Sequence, residues 1–327
     1  MEQQETKQET KKKSSWKKKL FKIVGILLSI VILWFLVENF ISAWNDIQDY
    51  LINANWLLIV VAIFVYAFVF IATGHNWAYM LHKLDQTMTT ADYLDIHMTS
   101  AFARYIPGGI WNIVGKAYMC TSKGVNKSAT TASMILEYVY QIISSGLFLL
   151  FFLPVFFNKL GWWLLVLVIV VAIGILVALP WLVRGGVKLL AKIFKEDVSN
   201  LHLSAKLIYG LLLRYAVVWL ITGLGLVLWV LAFDQVTWEQ AFYLVLSYPI
   251  CWVVGFVSPS PNGLGVREGV MQFLLTGMYT DSLLALITVT SRLWTIVGEV
   301  LSFGIFKPLF LLGKRHQKKR LGEKHHV

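Results

Sequence analysis

The sequence contains little charge and few cysteines for its 327 residues. Charged residues make up 14% of it, whereas soluble domains have about 25%, and hydrophobic residues make up 57%. Such a composition predicts an all-α polytopic membrane protein with one membrane domain and no sizeable soluble domain. Cys120 and Cys251 are the only two cysteines, and they form neither a metal-type spacing nor a disulfide framework.

The sequence also lacks the common motifs of nucleotide, metal and nucleophile chemistry. It has no phosphate-binding P-loop, no metal-type histidine cluster and no nucleophile motif. We therefore expect no cofactor, no metal and no catalytic residue, and no enzymatic activity of the chain by itself. A signal peptide is not expected either, because no small-residue cleavage site follows the first apolar segment.

Positive charge is concentrated at the two ends of the chain. Residues 1–22 contain eight Lys and three Glu, and residues 313–327 contain six Lys or Arg and one Glu, out of a net charge of +11. Basic segments beside a membrane span favour the anionic cytoplasmic leaflet. We expect cytoplasmic tails at 1–19 and 313–327, flanking a membrane domain at 20–312 in a bacterial-type cell membrane. No nucleic-acid-reading motif accompanies the basic runs, so nucleic acid is not an expected partner.

Six apolar segments are long enough to cross a hydrocarbon core of about 30 Å. These predicted spans are Leu20–Ile41, Trp56–Leu81, Ala129–Phe157, Trp162–Val183, Ala205–Phe233 and Leu283–Leu312. Two further apolar segments, Ile96–Gly115 and Ala241–Gly277, are interrupted, and we interpret them as re-entrant helical hairpins. Eight full spans are the alternative. That count fits the charges less well, because it would place the lysines from Lys116 to Lys127 outside.

The two interrupted segments contain similar breaks. When Pro107 is aligned with Pro261, both stretches read Pro-x-Gly-[Ile/Leu]-x-x-x-x-Gly. Proline removes a backbone donor and glycine permits a tight turn, so each break ends a helix. Within a membrane such a break is tolerated only where it is buried in protein or lines a wet cavity. A pair of ordinary turns between helices is the alternative interpretation.

The order of the predicted elements indicates inverted repeats. Each half, at about 20–157 and 162–312, reads span, span, hairpin, span, and the two halves start on opposite sides of the membrane. The hairpins would then enter from opposite faces and meet near the midplane. This arrangement is typical of the binding sites of inverted-repeat transporters.

Charged and flexible residues at the breaks predict a site for an anion such as a lipid phosphate. A half-helix after a break presents unpaired N–H groups, and an arginine fork can bind two phosphate oxygens. The predicted phosphate-binding residues are Arg104, Gly108, Gly109, Asn262, Gly263 and Arg267. The predicted supporting charges are Lys116, Glu137, Glu268 and Arg292.

Simpler roles for these residues stay open at this point. The glycines could serve turn geometry alone, Lys116 could snorkel from the end of a span, and Arg292 could be a structural ion-pair partner. We expect the intramembrane acids Glu137, Glu268 and Glu299 to neutralise the arginines when no lipid is bound.

Both breaks resemble signatures of a known family. The stretch from Arg104 to Trp111 resembles the first signature of the flippase-like transmembrane domain of the lysylphosphatidylglycerol synthases, also called multiple peptide resistance factors. The stretch from Ser260 to Glu268 resembles the second, Pro-Gly-Gly-x-Gly-x-x-Glu, with Asn262 in place of the first glycine. Glu137 resembles the acid that follows the first signature, although Tyr138 stands where an arginine commonly follows.

The resemblance implies a role in lipid transport. In that family the membrane domain moves aminoacylated phosphatidylglycerol to the outer leaflet, and a separate cytosolic domain transfers the lysyl group from lysyl-tRNA. The last predicted span ends about fifteen residues before the end of this chain. We therefore expect a stand-alone member that lacks the soluble synthase domain.

The sequence thus predicts translocation of an anionic or aminoacylated phospholipid, or a related lipid phosphate, between membrane leaflets. Two alternatives stay open. One is a phosphatidylglycerol lysyltransferase-family protein that takes part in lysylphosphatidylglycerol synthesis and in resistance to cationic antimicrobial peptides. The other is a scaffold for an envelope-lipid synthase. A soluble synthase partner and a homo-oligomer also stay open.

Overall fold

The computed structural model describes residues 40–105, 111–156, 162–194, 203–258 and 260–310, together with isolated positions near the two ends. Each regular element in these ranges is a helix. The two predicted tails and most of the predicted first span lie outside the described residues.

Ten α-helices are delimited in the described part of the chain, besides helical residues at 40–42 and 307–310. They are α1 (Trp44–Ile52), α2 (Trp56–Lys83), α3 (Thr90–Ala101), α4 (Trp111–Ser122), α5 (Lys127–Phe156), α6 (Trp162–Phe194), α7 (Ala205–Leu231), α8 (Trp238–Val257), α9 (Val266–Leu275) and α10 (Asp281–Leu301). Short 3₁₀ helices occupy Phe102–Tyr105 and Pro261–Gly263. A π-helical turn at Ser302–Phe306 continues α10.

Six of the described helical segments are long and apolar enough to cross a membrane. They are Trp56–Lys83, Lys127–Phe152, Val166–Leu189, Ala205–Leu231, Trp238–Val257 and Asp281–Phe310. Five of them overlap spans that we predicted, because the length of an apolar run determines whether a helix can cross. The chain is therefore a multi-pass α-helical membrane protein.

The sixth segment, Trp238–Val257, lies in the region that we predicted as the second re-entrant hairpin. With 20 residues, α8 is long enough to cross by itself, whereas α9 after the break has only 10. At the first break the flanking helices α3 and α4 have 12 residues each. The re-entrant hairpins and the inverted repeat stay predictions.

Polar residues at the ends of the apolar runs fix where several helices begin. Asn55 precedes α2 and accepts a hydrogen bond from the backbone N–H of Leu58 at 3.3 Å. Ser204 precedes α7 and accepts one from the N–H of Leu207 at 3.2 Å. Such caps satisfy backbone donors that the first turn of a helix leaves without a partner.

The chain divides into two compact units. The larger unit comprises residues 53–250 and 290–327, and the smaller comprises 1–52 and 251–289. Within the larger unit α2 packs along α7 and against α3 and α5, and its buried core includes Trp77, Tyr140 and Tyr215. Within the smaller unit the side chain of Ser282, at the start of α10, donates to the Asp46 carboxylate of α1 at 2.8 Å.

Glycines allow two helices of the larger unit to approach closely. A Cβ atom on Gly223 of α7 would lie 2.6 Å from the Cα of Val245 in α8. We expect Gly223→Ala to lower the free energy of unfolding by about 1–3 kcal/mol, because the added methyl group meets a backbone that cannot rotate away. Gly210, on the same helix, has no neighbour within 4 Å of that position. Gly210→Ala is the control and should raise stability by about 0.5–1 kcal/mol. Unfolding of both variants in detergent micelles measures the difference, and equal effects would contradict the close contact.

Candidate functional site

The first break separates two short helices that carry charged side chains. The 3₁₀ helix Phe102–Tyr105 ends α3, and α4 begins again at Trp111. Between them, Gly108 and Gly109 lie outside the described residues. Charges on both flanks are held by acids from two membrane-spanning helices, and they form a candidate site within the larger unit.

Lys116 and Glu137 form a buried ion pair beside this break. The Lys116 ammonium on α4 donates to Oε2 of Glu137 on α5 at 2.6 Å. The side chains are 9% and 6% exposed. Lys116 therefore does not snorkel towards water. We expected the acids to neutralise arginines, but the partner of Glu137 in the structure is this lysine.

An aromatic ring and a histidine complete the surroundings of this pair. The Lys116 ammonium lies 4.1 Å from the ring centroid of Trp77, a cation–π contact. The Trp77 indole N–H in turn donates to the hydroxyl of Ser133 at 3.1 Å. His97 approaches from α3, with its Nδ1 3.8 Å from the other oxygen of Glu137, Oε1.

Arg104 forms a second ion pair at the same break. Its Nη1 lies 3.2 Å from Oε1 of Glu299 on α10, and its Nε donates to the backbone carbonyl of Ala101 at 2.9 Å. The Glu299 side chain is 4% exposed, but that of Arg104 is 28% exposed. The arginine is thus anchored by Glu299 and Ala101, while part of its side chain stays accessible.

A third cluster of charges lies along the second half of α3 and was not predicted from the sequence. The Lys307 ammonium lies 3.0 Å from Asp95 and donates to the hydroxyl of Thr99 at 2.8 Å. Lys123 lies 3.2 Å from the same carboxylate. Burial alone would raise the pKa of Asp95, but the two ammonium groups outweigh it and hold that pKa below its ordinary value. This cluster ties the end of the last span to α3.

The second break lies in the smaller unit and depends on left-handed backbone. Asn262 has a φ of 52°, and Gly263 and Gly265 have φ values of 66° and 76°. The hydroxyl of Ser260 closes the turn by donating to the carbonyl of Leu264 at 2.7 Å. Asparagine adopts the left-handed region more readily than most residues, which explains how it can replace glycine in this motif.

Two glycines make room for the side chain of Arg267. A Cβ atom on Gly255 would meet the Cγ of Arg267 first of all, and one on Gly263 would lie 3.0 Å from its Cγ and Cδ. The arginine stem therefore lies across the backbone of both glycines. Glu268, the next residue, is buried.

The last of the predicted supporting charges lies in α10. Arg292 lies half-buried within α10. Arg214, which we did not select for the site, lies with its guanidinium 4.3 Å from the ring centroid of Tyr79. His97, Asp95 and Lys307 were missed because their partners are distant in sequence, and no local motif marks them.

The fold is that of a multi-pass helical membrane protein. Ion pairs hold its ionisable groups at a break between two short helices. The model of the family described as "Lysylphosphatidylglycerol synthase TM region" matches residues 22–301. The chain belongs to this family, which confirms the resemblance of the two break motifs and implies a role connected with membrane lipids. No curated protein and no solved structure matches the chain.

Proposed function

We propose that the protein translocates an anionic or aminoacylated phospholipid, or a related lipid phosphate, between the leaflets of the membrane. The observation that carries this proposal is the pair of ion pairs at the first break, Lys116–Glu137 and Arg104–Glu299. Membership of a family of lipid-connected membrane domains supports it.

The cost of placing charge in a membrane explains why these pairs are informative. A single Lys, Arg or Asp at the bilayer centre costs at least about 2.5–3.5 kcal/mol, so ionisable groups there usually serve a pathway or a partner. Each of these two cations lies against a carboxylate. The phosphodiester of a phospholipid carries the same single negative charge as a carboxylate, likewise shared by two acceptor oxygens, so it can take over one of these cations at little electrostatic cost.

The second break offers a phosphate a similar environment. Arg267 is positioned by Gly255 and Gly263, whose lack of a side chain lets the arginine stem lie across their backbone. An arginine held along its stem loses little side-chain entropy when its guanidinium binds a ligand. In the proposed pathway the lipid tails stay in the bilayer, while the head group passes these cations.

We expect protein-dependent exchange of lipid in proteoliposomes, and a loss of exchange when the arginines are removed. Labelled phosphatidylglycerol, lysylphosphatidylglycerol and a polyprenyl phosphate would be tested in turn. Arg104→Leu and Arg267→Leu should each lower the exchange rate roughly tenfold or more, since a hydrogen bond to a charged group contributes about 1.5–3 kcal/mol. Arg184→Leu is the matched control, because Arg184 is exposed and hydrogen-bonds only the carbonyl of Leu203 among the contacts described.

The results separate the proposal from its alternatives. Exchange that both arginine variants lose and the control keeps would support phosphate binding at the breaks and identify the head group. A folded protein that exchanges none of the three lipids would contradict translocation and favour a scaffold. Formation of lysylphosphatidylglycerol from lysyl-tRNA without exchange would favour the transferase alternative.

A further inference from the structure

Three titratable side chains from three helices meet beside the first break. Lys116 and His97 each face one oxygen of the Glu137 carboxylate, at 2.6 Å and 3.8 Å. All three residues are buried. Of these contacts, only the one from lysine is short enough to be a hydrogen bond.

The histidine is the unusual member of this cluster. Neither of its ring nitrogens has a hydrogen-bond partner among the residues that the structure describes. Its ring packs near those of Phe70 and Trp77, with centroids 5.1 Å and 6.4 Å away. A Cβ atom on Gly74 would lie 2.9 Å from its Cδ2, so the glycine provides the space that the imidazole fills. Buried polar groups are rarely left without a partner, which indicates that another state of the cluster supplies one.

The charges of the cluster define one such state. With a neutral imidazole, the positive Lys116 and the negative Glu137 cancel. A proton on His97 would create a second cation 3.8 Å from the same carboxylate, and a shift of about 1 Å would turn this contact into an ion pair. The cluster would then carry one net positive charge inside the membrane, which requires an anion.

We propose that His97, Lys116 and Glu137 form a proton-binding site that takes up one proton together with one lipid phosphate. This inference rests on the proposed function. A proton from water binds Nδ1 of His97, the imidazolium pairs with Oε1 of Glu137, and the Lys116 ammonium is released from Oε2 to bind the phosphate. The occupied site is neutral, and the proton returns to water when the lipid leaves.

Other titratable groups near the cluster do not replace His97 in this role. Arg104 is the other nearby cation, and Glu299 already pairs with it. The residues of α2 that contact His97 are Phe70, Gly74 and Trp77, and none of them carries a charge. The remaining titratable neighbours are the thiol of Cys120 and the phenols of Tyr138, Tyr140 and Tyr215, which do not ionise near neutral pH.

A row of polar side chains on α5 leads towards this site, and it would give the proton a route once water bridges its hydroxyls. The buried residues of this row recur every three or four positions and so share one face of the helix; they are Thr130, Ser133, Glu137, Tyr140 and Ser144. The row extends roughly 21 Å at 1.5 Å per residue. The hydroxyls of Tyr140 and of Tyr215, whose rings stack with centroids 6.0 Å apart, lack hydrogen-bond partners in the described part of the chain. Water at these hydroxyls would extend the route.

Calorimetry on the purified protein in detergent tests the inference directly. Phosphatidylglycerol would be titrated into the wild type at pH 7.5 in two buffers of different ionisation enthalpy, which yields the number of protons taken up per bound lipid. We expect close to one proton for the wild type and close to none for His97→Gln. His82→Gln should match the wild type, because His82 is an exposed histidine that bonds Thr90 at the end of α2.

A second measurement uses the same lipid in vesicles with a pH difference across the membrane. Coupling of one proton to one lipid would enrich labelled phosphatidylglycerol in the leaflet facing the alkaline side, up to about tenfold per pH unit. The protein can insert in either orientation without changing this ratio, and protein-free vesicles give the background. His97→Gln should show no enrichment above the protein-free background.

The outcomes are distinguishable from failure of the proposed function. Lipid binding by the wild type without proton uptake would overturn the proton site and leave translocation intact. Proton uptake on binding without exchange would support the site and contradict translocation. A folded wild-type protein that binds no phosphatidylglycerol would overturn the site as proposed. None of these wild-type results depends on whether His97→Gln folds.

Discussion

Lys116→Met is expected to lower the free energy of unfolding by about 3–5 kcal/mol. The variant leaves the buried Glu137 carboxylate without the ammonium that lies 2.6 Å away, and an uncompensated buried charge is among the most destabilising changes that one substitution makes. Methionine preserves most of the side-chain volume and the contact with Trp77, so a new cavity contributes little to the loss of stability. The effect is measured by unfolding the protein in detergent micelles, with the loss of helical signal as the readout.

Two further variants test whether the unpaired Glu137 carboxylate causes this loss of stability. Lys116→Met combined with Glu137→Met removes both charges and should recover most of the lost stability, since a buried ion pair can often be replaced by apolar side chains without net cost. Lys123→Met, just after the last residue of the same helix, is the control. Its side chain is 37% exposed and it pairs with Asp95, so its loss should cost about 1 kcal/mol or less. A double variant as unstable as the single one would indicate that Lys116 acts through packing.

Gly263→Ala is expected to lower lipid exchange roughly tenfold or more. The added methyl group would lie 3.0 Å from Cγ and Cδ of Arg267 and 2.9 Å from the backbone of Gly255, so the arginine stem has to leave its position across the glycines. Displacement of a guanidinium that binds phosphate would cost the charged hydrogen bond, about 1.5–3 kcal/mol. The assay is the exchange of labelled phosphatidylglycerol in proteoliposomes.

The control for this variant is Gly277→Ala. Gly277 also has a positive φ, 82°, but no atom lies within 4 Å of its added Cβ. Both variants pay the cost of placing alanine in left-handed backbone, about 1–2 kcal/mol of stability, and only Gly263→Ala disturbs Arg267. Equal exchange by the two variants would show that the position of Arg267 does not matter for translocation.

The spans were predictable because they depend on local composition. The predicted span Trp56–Leu81 and the helix Trp56–Lys83 begin at the same residue, and Ala205–Phe233 agrees with Ala205–Leu231 to within two residues at one end. An apolar run of this length has to be helical in a membrane, whichever helices surround it. The region of α8 was harder to assign, because a hairpin limb and a crossing helix have the same apolar composition.

The pairing of charges was not predictable because it depends on residues far apart in the chain. Arg104 and Glu299 are separated by 195 positions, and Lys116 and Glu137 by 21. The sequence indicated that the acids needed cations, but it favoured arginines as the partners. His97 carries no sequence signal at all, since a single histidine in an apolar segment is ordinarily a packed side chain.

The sequence by itself determined that this protein is helical, that it crosses the membrane several times and that two Pro/Gly breaks interrupt its apolar segments. These properties follow from composition and from the residues at each break. Only the tertiary structure decided which acid holds which cation, that Lys116 is buried and not snorkelling, and that His97 faces Glu137. Those contacts depend on how helices distant in sequence pack, and the packing is set by their shapes and glycines as much as by their charges.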